Sequence, residues 1–154
     1  MTPSIPQPLK AEHDDLHEAL VRAIRAGGRT GEAARAVAGA LHPHFLKEEE
    51  YALPPLGLLG RVARGEDVSG AAEAAIAMAE RLTAELPDML GEHGRIVATL
   101  GALVEAARAE GHPEHVRFAE ELILHARTEE EVLYPATILL GEYLKAGRKP
   151  LDHA

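Results

Sequence analysis

The feature that most constrains this chain is a segment that occurs twice. The first copy covers residues 44–54 and the second covers residues 125–135, 81 positions later. Each copy begins with a histidine, places a glutamate four residues on within a run of three glutamates, and has a proline ten residues after the histidine. We therefore expect one fold in which two equivalent segments face each other, with the rest of the chain as their support.

A second repeat surrounds two further histidines. His13 and His93 are 80 positions apart, and both follow the pattern apolar-x-x-Glu-His-x-x-apolar, with Glu12 and Glu92 as the glutamates. The offset nearly equals that of the first repeat. The chain therefore reads as a duplicated helix pair, and each half carries one lone histidine and then one His-x-x-x-Glu.

The composition favours a helical bundle with an aliphatic core. Of the 154 residues, 46% are hydrophobic and only 3% are aromatic, with no tryptophan, and few β-branched clusters are available for strands. This length suits one domain, which we place over residues 1–154. The fold class we predict is all-α: a four-helix up-and-down bundle with a short extra helix at its C-terminal end.

Charge and cysteine content exclude several functions. The formal net charge is −9, which disfavours nucleic acid as a partner. The absence of cysteine excludes thiolate metal sites, iron–sulfur clusters and thiol chemistry. The N-terminal sequence does not resemble a secretory signal, and no apolar run reaches membrane-spanning length. We therefore expect a cytoplasmic protein with no nucleic-acid or membrane partner.

Helical periodicity and the positions of glycine and proline set the expected element boundaries. Thr30 can cap the second helix, Pro43 should kink it, and Pro87 should kink or break a later one. Pro135 should close the run that contains the second motif. We expect helices over residues 9–26, 30–54, 69–86, 88–109, 113–135 and 136–145, with a glycine-rich loop over 56–69 and a polar tail at the end.

The spacing of the repeats permits metal chemistry. Residues four apart lie close together on one helix face, so a His-x-x-x-Glu can supply two donors to one ion, or its carboxylate can bridge to a second ion. One such pair alone is usually a weak contact on a solvated face. The joint pattern predicts a site for two transition ions, iron above all, because four imidazoles and two carboxylates converge. The metal ligands we predict are His13, His44, Glu48, His93, His125 and Glu129.

This ligand pattern resembles the hemerythrin-like HHE cation-binding family. The resemblance covers residues 9–140, and it includes the Glu-Glu-x-x-x-x-Pro that ends each motif. It implies a four-helix bundle around two non-haem iron ions, with manganese or zinc as alternatives. Glu48 and Glu129 would bridge the ions, and the four histidines would be terminal ligands.

Two positions depart from the oxygen-carrying hemerythrins of invertebrates. Val97 stands where those proteins have a second histidine in the third helix, and Glu130 stands where they have a ligating aspartate, so that Glu129 becomes the expected ligand. These departures argue against simple reversible oxygen carriage. Two further residues are candidates for an extra ligand or a supporting contact: His17, one turn beyond His13, and Tyr51, three residues after Glu48.

The resemblance leaves the function open among several activities. The protein would bind or react with O2, peroxide or nitric oxide, either as an oxygen-binding or sensing protein or as an enzyme that reduces peroxide or nitric oxide. The alternative is an iron storage or delivery protein without turnover. A redox partner would be needed for reduction, and the sequence does not identify it. We expect Glu12 and Glu92 either to orient neighbouring ligands or to lie on a solvated face, and we assign no role to His42, His112, His115 and His153.

Overall fold

The computed structural model describes residues 1–147, and every regular element in that range is a helix. Residues 148–154, which include His153 and most of the expected polar tail, lie outside it. The all-α class predicted from the sequence is therefore confirmed for the described part of the chain. The α-helices are α1 (Gln7–Arg25), α2 (Gly28–Lys47), α3 (Leu59–Ala63), α4 (Ser69–Glu110), α5 (Pro113–Thr128) and α6 (Tyr134–Lys145).

Two π turns interrupt the α-helices at matching positions of the repeat. The first π turn is Glu48–Ala52, directly after α2, and the second is Glu129–Leu133, directly after α5. A π turn holds one residue more than an α turn, so it rotates the side chains that follow it. The first π turn leads into a 3-10 helix, Pro54–Leu58, and then into α3, so the expected loop over 56–69 is largely helical.

The prolines interrupt the helices less than the sequence suggested. Pro87 lies inside α4, which is a single helix of 42 residues, so the expected break there does not occur. The prediction that Pro135 closes a helical run is also wrong, because Pro135 is the second residue of α6, which continues directly from the second π turn. The missing N–H of Pro135 removes one backbone donor from this continuous run without ending it.

The start of α2 is stabilised from another helix. The carboxylate of Glu110, the last residue of α4, accepts hydrogen bonds from the backbone N–H groups of Arg29 and Thr30 and from the Thr30 hydroxyl. Gly27 precedes the helix with φ +68°, and no side chain caps it locally. The prediction that Thr30 caps α2 is therefore wrong: Thr30 is its third residue, and the capping carboxylate comes from α4.

The helices pack around α4. This helix contacts α2, α5 and α6, while α1 lies against α2 and α5. Three clusters of buried apolar side chains result. The first contains Leu16, Phe45, Ile96 and Leu122, the second contains Tyr51, Met89 and Tyr134, and the third contains Leu58, Val68 and Leu140. In α4, His93 falls between Met89 of the second cluster and Ile96 of the first. His44 and His125 follow members of the first cluster in α2 and α5, and members of the second cluster come after them in the chain. The polar residues therefore form a layer between the first two clusters.

Candidate metal centre

The six predicted ligands come together in the interior. His13 projects from α1, His44 from α2, His93 from α4 and His125 from α5, while Glu48 and Glu129 begin the two π turns. None of the six side chains is more than 5% exposed. Their donor atoms form two overlapping groups, within each of which all atoms lie inside 4.8 Å of one another. The cluster could therefore hold a metal ion.

The two groups share both carboxylates and divide the histidines. One group contains His13 and His125, the other contains His44 and His93, and Glu48 and Glu129 belong to both. We call these the His13/His125 position and the His44/His93 position. Each position thus offers two imidazole nitrogens and two carboxylate oxygens. The imidazoles come from α1 and α5 at the first position and from α2 and α4 at the second.

Glu48 turns one oxygen to each position. Its Oε1 lies 3.5 Å from Nε2 of His13, and its Oε2 lies 3.3 Å from Nε2 of His44. Glu129 does the same: its Oε2 lies 3.0 Å from Nε2 of His125, and its Oε1 lies 3.1 Å from Nε2 of His93. Both carboxylates therefore stand between the two histidine pairs with one oxygen directed at each.

Each histidine is oriented by a further glutamate at its other ring nitrogen. Nδ1 of His44 and of His93 lies 2.8 Å from Glu92 and Glu130, respectively. The remaining two contacts join Nδ1 of His13 to Glu49, at 3.2 Å, and Nδ1 of His125 to Glu12. A carboxylate at Nδ1 keeps the proton on that nitrogen, so Nε2 presents a lone pair to the centre. Glu12 and Glu92 are thus orienting groups, and each serves a histidine of a different helix.

The donor atoms fit a cation better than they fit one another. Within residues 1–147, four buried side-chain atoms lack a hydrogen-bond partner: Nε2 of His13, Nε2 of His125, Oε1 of Glu48 and Oε2 of Glu129. All four face the His13/His125 position. Nε2 of His125 is only 3.0 Å from Glu129, but the approach does not have hydrogen-bond geometry. Unpartnered polar atoms in a buried site are costly, and a cation bound by all four would remove that cost.

Protons accumulate in the cluster when no metal is bound. Burial, together with the neighbouring charge of Glu129, raises the pKa of Glu48 to about 7. Burial also favours protonation of Glu129, but its close contacts with Glu48 and with the histidines outweigh it and hold the pKa of Glu129 well below its usual range. The two carboxyl groups therefore disfavour being ionised together, and protonation of the pair is easier than that of an isolated carboxylate.

The imidazoles respond to the same charges. Burial lowers the pKa of His125, but its contacts with Glu129 outweigh this and raise the pKa to about 9. The pKa values of His13, His44 and His93 are also raised, because nearby glutamates overcome the effect of burial. A cation at the centre would replace these protons.

A residue that sequence reasoning missed also reaches the centre. Tyr134, the first residue of α6, is fully buried, and its hydroxyl donates a hydrogen bond of 2.5 Å to Oε2 of Glu48. The Tyr134 oxygen also lies 3.3 Å from Nε2 of His44 and 3.2 Å from Nε2 of His93. Tyr134 therefore belongs to the His44/His93 position.

The π turns explain why sequence reasoning missed Tyr134 and why the expectation for Tyr51 differs from the structure. At α-helical spacing, a residue five positions after Glu129 points away from it, but one π turn restores it to the same face. The motif Glu-Glu-Glu followed by an aromatic residue and proline was the available signal. Tyr51 is instead rotated away: its hydroxyl contacts the Met89 sulfur at 3.6 Å, and Arg81 stacks on its ring. The structure does not bring Tyr51 to the centre.

The remaining histidines of residues 1–147 lie elsewhere. His17 and His42 are exposed and line a small cavity between α1 and α2, so the structure does not bring His17 to the six ligands. His112 and His115 form a third cluster with Glu114 at the turn between α4 and α5. That cluster is half-exposed and borders a groove that also contains Arg22, whose charge opposes cation binding.

The fold and the centre define an all-helical protein with a buried histidine–carboxylate cluster able to hold metal. Comparison with known protein families, with characterised proteins and with solved structures finds no match to this chain. Within residues 1–147, no helix is both long enough and apolar enough to cross a membrane.

Proposed function

We propose that this is a hemerythrin-like protein that holds two carboxylate-bridged, non-haem iron ions and binds or reacts with O2, peroxide or nitric oxide. The observation that carries the proposal is the division of the two carboxylates. Because Glu48 and Glu129 each direct one oxygen to each histidine pair, two ions would share both bridges.

The arrangement of the helices supports a four-helix up-and-down bundle. The donors come from four helical segments: α1, α2 with the first π turn, α4, and α5 with the second π turn. Two residues separate α1 from α2, and two separate α4 from α5. Connections this short join antiparallel neighbours. In this proposal, α6 extends the fourth helix, and residues 53–68 with the first part of α4 form the crossover.

The donor set supports iron as the metal. Each position offers two imidazoles and two carboxylate oxygens, a mixed set that suits iron, manganese or zinc better than calcium or magnesium. The four protonated Nδ1 atoms and their glutamates fix the ring orientations and make Nε2 a better donor. Bound iron would supply an open coordination position and a change of oxidation state, which are the requirements for binding or reducing a small ligand.

The protein itself would control charge and water at the centre. Apolar side chains of the first cluster and of the second cluster lie on the two sides of the ligand layer. Bulk water is therefore excluded, and electrostatic contacts are strengthened. The Phe45 ring stacks on His13 with 3.9 Å between ring centroids, and it gives the His13/His125 position an apolar wall. A small ligand with little charge, such as O2 or nitric oxide, suits that wall.

The test is metal content with a spectroscopic readout. Anaerobic loading with ferrous iron should give about two ions per chain, and admission of O2, hydrogen peroxide or nitric oxide should change the near-ultraviolet and visible absorption. His44→Ala should lower the iron content, whereas the matched variant His42→Ala, exposed on the same helix, should leave it at two.

The same experiment separates the alternatives. Two irons that are released on reduction, without turnover of any of the three ligands, would replace the proposal by iron storage or delivery. A single zinc ion with no spectral change would contradict the di-iron centre altogether.

A further inference from the structure

The Tyr134 hydroxyl contacts three buried atoms, and all three are candidate metal donors. It holds one proton, which is directed to Oε2 of Glu48. Nδ1 of His44 and of His93 faces a glutamate, so in the neutral imidazoles the Nε2 atoms at 3.3 and 3.2 Å present lone pairs to the Tyr134 oxygen. Four electron-rich atoms therefore converge in one buried space, which is the environment of a cation and not of a hydroxyl alone.

The two halves of the chain differ at this point. The residue equivalent to Tyr134 in the first half is Leu53, which is buried in an apolar cluster. The Phe45 ring lies against His13 and within 6.1 Å of the His125 ring, and its equivalent in the second half is Ala126. The His44/His93 position thus has a hydroxyl, and the His13/His125 position has an apolar wall.

The unpartnered atoms show the same asymmetry. All four buried atoms without a hydrogen-bond partner in residues 1–147 face the His13/His125 position. At the His44/His93 position, Tyr134 contacts one oxygen and both nitrogens. An added protein donor is therefore present at one position and missing from the other.

We propose that the Tyr134 oxygen is a fifth protein donor to the ion held by His44 and His93, and that it directs exogenous ligands to the ion held by His13 and His125. This inference rests on the proposed di-iron function. On binding, the O–H bond of Tyr134 is replaced by the bond to the ion, and the proton leaves to water. The two ions then differ: one is closed by tyrosine, and the other remains open beside Phe45.

The first test is the visible spectrum of the ferric protein. A tyrosine bound to ferric iron gives a phenolate-to-iron charge-transfer band, and Raman excitation within that band enhances tyrosine ring vibrations. We expect both signals in the wild-type protein. Tyr134→Phe should lose them while still binding about two irons, because His44, His93 and both carboxylates remain.

The matched control is Tyr51→Phe. Tyr51 is as buried as Tyr134, at 1% exposed, but its hydroxyl contacts Met89, so this variant should keep the band and the ring vibrations. Persistence of the band in Tyr134→Phe, or its loss in Tyr51→Phe, would overturn the assignment. The Raman spectrum of the wild-type protein tests the ligation even if a variant does not fold.

The second test is the number of azide ions that bind per chain. One azide should bind the wild-type ferric protein, and two should bind Tyr134→Phe, because the substitution opens the second ion. One site in both proteins contradicts the closing role of Tyr134. Two irons in the wild-type protein without a phenolate band overturn this inference alone, whereas a wild-type chain without metal overturns the proposed function as well.

Discussion

The carboxylate of Glu92 lies 2.8 Å from Nδ1 of His44, although its neighbour in the chain is His93, whose Nδ1 faces Glu130. The same crossing occurs in the first half, where Glu12 contacts His125 and not its neighbour His13. Each glutamate that precedes a lone histidine therefore orients a histidine of the other half. As a consequence, neither half can build its set of oriented ligands alone.

The contact between Glu92 and His44 predicts that Glu92→Ala weakens metal binding without removing a ligand. Loss of such an orienting carboxylate costs roughly 10–100-fold in metal affinity. We expect that loss at the His44/His93 position, with two ions still bound at saturating iron. Equilibrium dialysis against buffered ferrous iron measures it. Glu105→Ala, an exposed site on the same helix, should bind iron like the wild type, and equal affinities for all three proteins would refute the orienting role.

The shared carboxylates predict a stability effect that depends on metal. Glu129→Gln should reduce iron binding to less than one ion per chain, because one oxygen is removed as an anionic donor from each position. A ligand present at 100 times its Kd stabilises the folded state by about 2.7 kcal/mol, and the variant should lose stabilisation of that order. Thermal unfolding with and without iron measures the difference. Glu131→Gln, two residues away and exposed, should keep the iron-dependent shift in Tm, and a full shift in Glu129→Gln would contradict the shared-ligand geometry.

The cluster predicts opposite pH trends for the metal-free and iron-loaded proteins. In the metal-free protein, the pKa of Glu48 is raised to about 7 and that of His125 to about 9. Protonation of both is favoured by folding, so their stabilising contribution is complete below the unfolded pKa of each group and is lost as pH rises through the folded value. The low pKa of Glu129 acts only in the acid range, where its contribution is lost as pH falls.

Iron requires the deprotonated ligands, so its affinity should rise over the same interval. The increase in Tm caused by iron should therefore grow between about pH 5.5 and pH 9. Differential scanning fluorimetry of paired metal-free and iron-loaded samples measures this difference across the pH series. A shift in Tm that is constant or that declines with rising pH would show that protons and metal do not compete for the cluster.

The close approach of α6 to α4 at Gly141 leaves no room for a side chain there. A Cβ at Gly141 would collide with the Cβ of Ala79, so Gly141→Ala should destabilise the fold by roughly 1–3 kcal/mol through overpacking. Gly101 lies exposed in α4 with no atom near the site of an added Cβ. Gly101→Ala should stabilise by about 1 kcal/mol, because alanine is the better helix former. Urea unfolding of the two variants checks the opposite signs, and a stabilised Gly141→Ala would refute the close packing of these helices.

Local pattern was enough to identify most of the helices and all six members of the buried cluster. Spacing of four residues between His44 and Glu48, repeated at His125 and Glu129, survives in the structure because each histidine lies in the last turn of an α-helix and its glutamate caps that helix with an α-helical backbone conformation. The errors about the metal centre begin just beyond each pair. There a π turn shifts the register by one residue. Tyr51 therefore points away from the centre, and Tyr134 reaches the His44/His93 position.

The sequence by itself determined the helical class, the twofold repeat and the donor types, since these depend on short-range periodicity and on the chemistry of individual side chains. Only the tertiary structure decided which glutamate orients which histidine, which carboxylate oxygen faces which pair, and that Glu110 of α4 caps α2. Those contacts join residues up to 113 positions apart. They follow from how the helices pack, which is a property of the whole core, and no local spacing encodes it.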